Sequence, residues 1–354
     1  MKILHIAPIG HHPEGIGSVI SKLYPEQIKL NNDVRIITVN SNNIYEGWPI
    51  YRINRSEDFI SFISSWIPDI VIFHSHFHPE FVKFAKILKN QKIPFCVQLH
   101  GALSKMNYQK SHLKKMLAGF MYFNWILRNA SSIIYLNQAE YGNSIVPKYN
   151  PNYAIIPNGC ESQGVVDLSR SVNNPIRIVF IGRISYNHKG LDILMASLRK
   201  LNDDYKSVFH LFFYGNEDDV DVLKLKSDLS GLAIASYEGS VYGEKKNIVL
   251  DNADIFILSS RYEGMPMGVL EAWSHGVPCI LTPGTNMTID YHNSDAFWKA
   301  ELSADSLSST IVDAINDYRL SPSRFRRSAY DESLRYHWDK IAKMTIELYT
   351  QMTI

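Results

Sequence analysis

The stretch SSRYEGMPMGVLEAWSHGVPCILTPGT, Ser259 to Thr285, sets two glutamates, Glu263 and Glu271, around a Gly264-Met265-Pro266 corner. The run before it, ADIFILSS, reads as a buried strand, so RYEG is the loop at its carboxyl end. Pro266 suits the first turn of a helix and Gly276 its end, which predicts a helix of about ten residues, roughly 15 Å long. Its first amides, near Met265 to Met267, can cap a negative charge. Glu263 then precedes the helix, and Glu271 lies more than one turn inside it. The two acids therefore do different work. Glu271 can accept two hydrogen bonds from a ribose diol, and Glu263 lies nearer a transferred group.

Three further clusters could do chemistry. In FIGRISYNHKGLDIL, Gly182 ends a strand, and Arg183 and Lys189 flank the turn into a helix. Two cations there suit a diphosphate, Arg as a fork and Lys as a point charge. In VQLHGAL, His100 ends an apolar strand, where it can bond a sugar hydroxyl, move a proton, or simply be satisfied in the core. In IAPIGHHPEGIGSVI, Gly15, Ile16 and Gly17 open a helix, where bare backbone can approach a phosphate or sugar; a plain tight turn meets the same pattern. A dinucleotide fingerprint would need a third glycine where Ile20 stands and an acid where Asn40 stands, so NAD is not expected. His74, His76 and His78 alternate along FHSHFH and could share one face as a metal cluster, but loop histidines at a polar cleft fit better.

These residues need elements to position them. Apolar runs such as KILHI, DVRIITVN, DIVIFHSH, PFCVQLHG and SSIIYLN, most separated by helical segments, indicate a parallel sheet covered on both faces. The polar, aperiodic CESQGVVDLSRSVNNP, Cys160 to Pro175, reads as a linker. After it a second βαβ series starts at IRIVFIGRI. The expected architecture is α/β, two doubly wound Rossmann-like domains facing across a cleft, residues 1–162 and 163–337, with a last helix over about 338–354.

The 354 residues carry a net charge of +1, which gives no global attraction to nucleic acid. Residues 1–160 hold 16 lysines and arginines against 9 acids, and the remainder 20 against 26, so the halves have opposite sign. Cys96, Cys160 and Cys279 are odd in number and unclustered, which fits a reducing cytosol rather than disulfides, and Cys96 and Cys279, in strand-like runs, read as core packing. MKILHIAPIG is too short and interrupted for a signal peptide, and no apolar run is long enough to span a membrane.

With these motifs assembled, the chain resembles retaining GT-B glycosyltransferases of glycosyltransferase family 4. EGMPMGVLE is similar to the family's Glu-x7-Glu signature, and the N-terminal glycine loop, LHG, IPNG, GRISYNHKGLDIL and WDKIAKM match in order. The resemblance implies transfer of a sugar from a nucleotide diphosphate sugar with retained configuration and no metal or other cofactor. It implies that Arg183 and Lys189 hold the diphosphate, Glu271 the ribose and Glu263 the donor sugar. It further implies that Gly264, Met265, Pro266 and Met267 bring amides to phosphate or sugar, that His100 lies close to the donor sugar, that Gly15, Ile16 and Gly17 approach the diphosphate, and that Val241 lies beside the base. The final helix near Trp338 is implied to return to the first domain. Glu14-Gly15 stands where the family usually pairs glycines, and Tyr214-Gly215-Asn216 where it often has Gly-x-Gly.

The acceptor is expected on the first domain. SKMNYQKSHLKKMLAGFMYFNWILRNA mixes Lys105, Lys110, Lys114 and Lys115 with Met116, Leu117, Phe120, Met121, Phe123 and Trp125. Such a basic, aromatic helix can lie on an anionic membrane, or pack into the core with a solvated basic edge. The expected acceptor is a saccharide or lipid-linked saccharide of cell-surface polysaccharide synthesis, reached from the cytoplasmic face. A catalytically inactive sugar-nucleotide-binding partner and a GT-B epimerase or phosphorylase are the competing readings.

Overall fold

The computed structural model describes residues 1–9, 15–39, 47–75, 78–101, 123–164, 166–216, 220–288 and 295–353. The expectations placed on Glu14, on His76 and on residues 102–122 lie outside these. The chain forms two compact units, Met1–Gly159 with Trp338–Ile354, and Cys160–His337.

The first unit runs β1 (Lys2–Ala7), α1 (Ile16–Lys29), β2 (Asp33–Thr38), β3 (Ile50–Arg52), α2 (Ser56–Ser65), β4 (Ile70–His74), α3 (Pro79–Asn90), β5 (Phe95–Gln98), α4 (Asn124–Asn129), β6 (Ser132–Tyr135), α5 (Gln138–Asn143) and β7 (Tyr153–Ile155). Its seven strands make one parallel sheet in the order β3-β2-β1-β4-β5-β6-β7. The second unit runs β8 (Ile176–Ile181), α6 (Tyr186–Lys189), α7 (Leu191–Tyr205), β9 (Phe209–Tyr214), α8 (Val220–Leu229), β10 (Ala235–Tyr237), α9 (Gly243–Asp251), β11 (Ile255–Leu258), α10 (Met267–Ser274), β12 (Cys279–Leu281), β13 (Phe297–Lys299), α11 (Ala304–Leu320) and α12 (Pro322–Ser333). Its six strands are also parallel, in the order β10-β9-β8-β11-β12-β13. α13 (Trp338–Thr353) then completes the first unit.

The central strands are buried along their length, β4 and β11 at every residue. That is why they read as unbroken apolar runs, since helices cover both faces of a parallel sheet. β3 and β13 are three-residue strands with exposed positions, too short and polar to read as strands from the sequence. In each sheet the strand order reverses once, between β1 and β4 and between β8 and β11. The crevice at the carboxyl ends of such a pair is where open α/β sheets hold ligands.

α1 buries Val19, Ile20, Leu23 and Gln27 on one face, and α13 buries Trp338, Ile341, Ala342, Thr345 and Tyr349. These are helical spacings. The two helices meet, and Gln27 Nε2 donates to Thr345 Oγ1 at 3.1 Å.

The segment read as the linker begins where the second unit begins and is fastened to that unit. Asp254, fully buried, accepts from Asn173 Nδ2 and from the Arg177 amide, both at 2.9 Å, and sits 3.4 Å from the Arg170 and Arg326 guanidiniums. Arg170 also donates to the Ala253 carbonyl, and Arg326 to that of Arg170. The segment's polar residues are used to pair with this buried charge, which would be costly left unpartnered.

Candidate active site

In the second unit the predicted residues converge on the switch between β8 and β11. β8 ends at Ile181, and Gly182 and Arg183 follow. Crowding at this strand end explains the Tyr214-Gly215-Asn216 turn: a Cβ on Gly215 would lie 2.3 Å from the Gly182 carbonyl. Lys189 closes the short helix α6, and Gly190, at φ +64°, turns the chain directly into α7. Lys189 therefore stands at the end of one helix rather than inside the next. A Cβ on Gly190 would meet the Ser259 carbonyl at 2.2 Å, so glycine is needed for both its backbone angle and its closeness to the end of β11.

Glu263 lies in the loop after β11, as expected. Its Oε1 accepts from Lys189 Nζ at 2.7 Å and from Ser260 Oγ at 2.6 Å, with His188 Nε2 3.6 Å away. Asn286 Nδ2 donates to the Glu263 carbonyl at 2.6 Å and fixes the loop backbone. His188 donates from Nε2 to the Tyr262 carbonyl at 2.7 Å and stacks on the Tyr262 ring. Its Nδ1 therefore accepts from Arg183 at 3.3 Å. Burial lowers the His188 pKa below the ordinary histidine value, partly opposed by Glu263. Arg183, His188, Lys189, Ser260 and Glu263 thus form one connected group. His188 and Ser260 stood in the motifs already picked out but had no assigned role, because only the fold shows what they touch.

The helix after the corner starts at Met267 rather than Pro266, which is its N-cap, and spans eight residues rather than about ten. Gly276 follows the C-cap His275 with positive φ, as a helix stop requires. Its first amides have no intrahelical acceptors, and its first turn has no acidic residue. Gly264, Met265 and Pro266 form the approach to this helix and Met267 is its first residue, with Met265 buried. Glu271 lies in the second turn and accepts from Lys246 Nζ of α9 at 2.6 Å. α9 starts two residues after Val241, so the Lys246 bond ties the segment predicted to sit beside a base to the acid predicted to bind a ribose.

In the first unit the predicted residues lie at the switch between β1 and β4 and at the end of β5. Gly15 is the N-cap of α1 with φ +54°, Ile16 is its first residue, and Gly17 is buried. His100 follows β5 in a left-handed conformation, φ +51°. Glu140 clamps the backbone beyond it, accepting from the Gly101 amide at 2.5 Å and the Leu136 amide at 2.6 Å. Burial raises the Glu140 carboxyl to about 7, against the pull of those two amides.

His100 joins a series of rings of which His5 and His74 are fully buried. His100 Nε2 lies 2.9 Å from His74 Nδ1, and His74 Nε2 lies 2.9 Å from His5 Nδ1. His5 Nε2 in turn lies 2.9 Å from Gln27 Oε1. Burial lowers the pKa of His5 and His100 to about 4, and that of His74 well below the ordinary value. This corrects the reading of His74 as a loop histidine: it is the last residue of β4 and fully buried. His78 precedes α3 and pairs with Glu80 at 2.8 Å. Among the described residues no cluster of histidine, cysteine, aspartate or glutamate is arranged to hold a metal ion.

The described end of the basic, aromatic segment packs inward, with Phe123, Ile126 and Leu127 buried in the core of the first unit and Trp125 partly buried against it. Lys86 and Lys89 of α3 lie over the Trp125 ring. Among the described residues no helix is long and apolar enough to cross a membrane. Cys96, Cys160 and Cys279 are buried free thiols.

Residues 175–317, all in the second unit, match the family described as Glycosyl transferases group 1. An uncharacterized glycosyltransferase of Methanocaldococcus jannaschii is 26% identical over 174 residues, 49% of this chain and 44% of that protein. The N,N'-diacetylbacillosaminyl-diphospho-undecaprenol alpha-1,3-N-acetylgalactosaminyltransferase of Campylobacter jejuni is 31% identical over 113 residues, 31% of this chain and 30% of its own. The chain thus spans less than half the length of these curated relatives. The Anabaena protein HepE, crystallised in complex with UDP and glucose, has the same fold at a TM-score of 0.75 and 15% identity, covering 99% of this chain and 100% of that one. The fold is GT-B in class, and within it the second unit carries the match to the group 1 glycosyl transferases.

Proposed function

We propose that the protein is a retaining hexosyltransferase that moves a sugar from a UDP- or GDP-linked donor to a saccharide or lipid-linked acceptor of cell-surface polysaccharide synthesis. The second unit binds the nucleotide sugar, and the more basic first unit binds the acceptor. The observation that carries this reading is the connected group of Arg183, Lys189 and Glu263 at the β8/β11 switch, with Glu271 one element further on.

Cleavage of the sugar–phosphate bond builds negative charge on the leaving diphosphate and positive charge on the sugar ring. Arg183, Lys189 and the first amides of α10 answer the negative charge. Glu263 answers the positive charge. The acceptor hydroxyl attacks from the face the diphosphate leaves, and the diphosphate takes the hydroxyl proton, so configuration is retained. These steps assign no chemistry to a metal ion or other cofactor. The relative from Campylobacter acts on a diphospho-undecaprenol compound, and an acceptor of that chemistry brings this protein to the cytoplasmic face of the membrane as a peripheral enzyme.

The test is thermal unfolding with UDP, GDP, ADP and CMP and with their hexose conjugates. A ligand at one hundred times its dissociation constant adds about 2.7 kcal/mol of stability. One base should stand out, and its sugar conjugate should then be turned over. No shift with any of them would overturn the donor assignment.

A further inference from the structure

The ring series in the first unit has a direction that hydrogen-bond counting fixes. Thr345 Oγ1 donates its single proton to the Ala342 carbonyl at 2.7 Å. The bond between Gln27 Nε2 and Thr345 Oγ1 must therefore run from the amide to the hydroxyl. That turns Gln27 Oε1, an acceptor, toward His5 Nε2. His5 Nε2 must then carry a proton. Its Nδ1 is bare, because burial keeps the ring neutral. A bare His5 Nδ1 requires a proton on His74 Nε2, and a neutral His74 then has a bare Nδ1. A bare His74 Nδ1 requires a proton on His100 Nε2. Each ring passes the same choice to the next.

We propose that Gln27, His5 and His74 are positioning residues that hold His100 as its Nε2–H tautomer, leaving Nδ1 as a hydrogen-bond acceptor for a substrate hydroxyl. The mention of substrate rests on the glycosyltransferase reading above; the tautomer does not. In this arrangement His100 accepts a bond from an O–H group and does not donate one to a sugar or phosphate oxygen. The left-handed turn at His100 and the Glu140 clamp on Gly101 have a purpose in the same scheme. They fix the backbone that carries the His100 ring, which stacks on the His74 ring with centroids 5.2 Å apart.

The experiment is two-bond proton–nitrogen correlation NMR on full-length protein with 15N-labelled histidine, assigned by loss of signals in His5→Gln, His74→Gln and His100→Gln variants. All three rings should show a protonated, pyrrole-type Nε2 and a bare, pyridine-type Nδ1 at neutral pH. An Nδ1–H tautomer or a cationic ring at any of the three overturns the proposal, and this reading needs no variant beyond assignment. Two substitutions then test the direction. Gln27→Glu keeps an acceptor opposite His5 and should leave the His100 signals of the same tautomer. Gln27→Leu removes it and should bring in an Nδ1–H population at His100. An unchanged His100 spectrum in Gln27→Leu overturns the assignment of direction to Gln27. Because the readout is a nitrogen shift, a failed glycosyltransferase assay and a failed tautomer assignment are separate results.

Discussion

Lys189 and Glu263 are joined by a 2.7 Å ion pair with only 13% and 11% of their side chains exposed. Under the proposed function the cation for the diphosphate and the acid for the sugar thus hold each other, and the diphosphate would share the ammonium with the carboxylate. Lys189→Ala should weaken nucleoside diphosphate binding by about 10- to 100-fold, the weight of a charge-assisted hydrogen bond of about 1.5–3 kcal/mol. Glu263→Gln should do the opposite to binding, tightening it several-fold, while turnover falls by at least about 100-fold. Calorimetric titration with the preferred nucleotide, beside steady-state rates, separates the two. Weaker nucleotide binding in Glu263→Gln would mean that the acid orders the site rather than competing within it.

Glu271 is paired with Lys246 at 2.6 Å, but both side chains are about a quarter exposed, at 26% and 25%. A pair so open to water contributes little to stability, about 0–1 kcal/mol. Under the proposed function its value is in orienting Glu271 before the nucleotide arrives, which would avoid about 0.5–1.5 kcal/mol of side-chain ordering on binding. Lys246→Met should therefore barely move the melting temperature and raise the donor KM about three- to tenfold with kcat nearly unchanged. A fall in kcat without a change in KM would place Lys246 in the chemistry instead.

The parts of this arrangement legible in the sequence were those that a single strand or turn decides. β8 and β11 announce themselves as unbroken apolar runs, and the residues just past them, Arg183 and Glu263, follow by position alone. Gly276 and Pro266 bracketed α10 to within a residue at its start. Partners that arrive from another element were not legible. Lys246 is one of two adjacent lysines on α9, and nothing in GEKKN says which faces Glu271. The histidine series escaped for the same reason. His5 looks like a flaw in an apolar strand until β4, α1 and the returning α13 are set beside it.

Gly190 has positive φ, and its missing side chain leaves room for the Ser259 carbonyl. Gly190→Ala adds the strain of a left-handed alanine, about 1 kcal/mol, to a contact with rigid backbone that must shift. We expect a loss of at least about 2 kcal/mol in denaturant unfolding of the second unit, and nucleotide binding weakened through displacement of Lys189. An alanine variant as stable as the parent would show that α6 and α7 can part from β11 at little cost.

Glu140 should make the first unit pH-sensitive in a direction unusual for an acid. Its carboxyl is raised by burial to about 7 from an unfolded value of 4.5. The folded state therefore holds the proton more tightly than the unfolded chain. That contribution is fully present below pH 4.5 and is lost as pH rises through about 7, to a total of roughly 3 kcal/mol. His5, His74 and His100 act in the reverse sense, because their folded pKa values lie below the ordinary 6.5 and the unfolded chain takes up protons as pH falls. Comparison with Glu140→Gln cancels the histidines, which both proteins share. The variant loses one of the two amide bonds, so it should be the less stable protein at pH 5. The difference should shrink steadily as pH rises to 8. Urea titrations at half-unit intervals measure it. A difference that stays constant across this range would mean that the two amide bonds hold the Glu140 carboxylate ionised throughout.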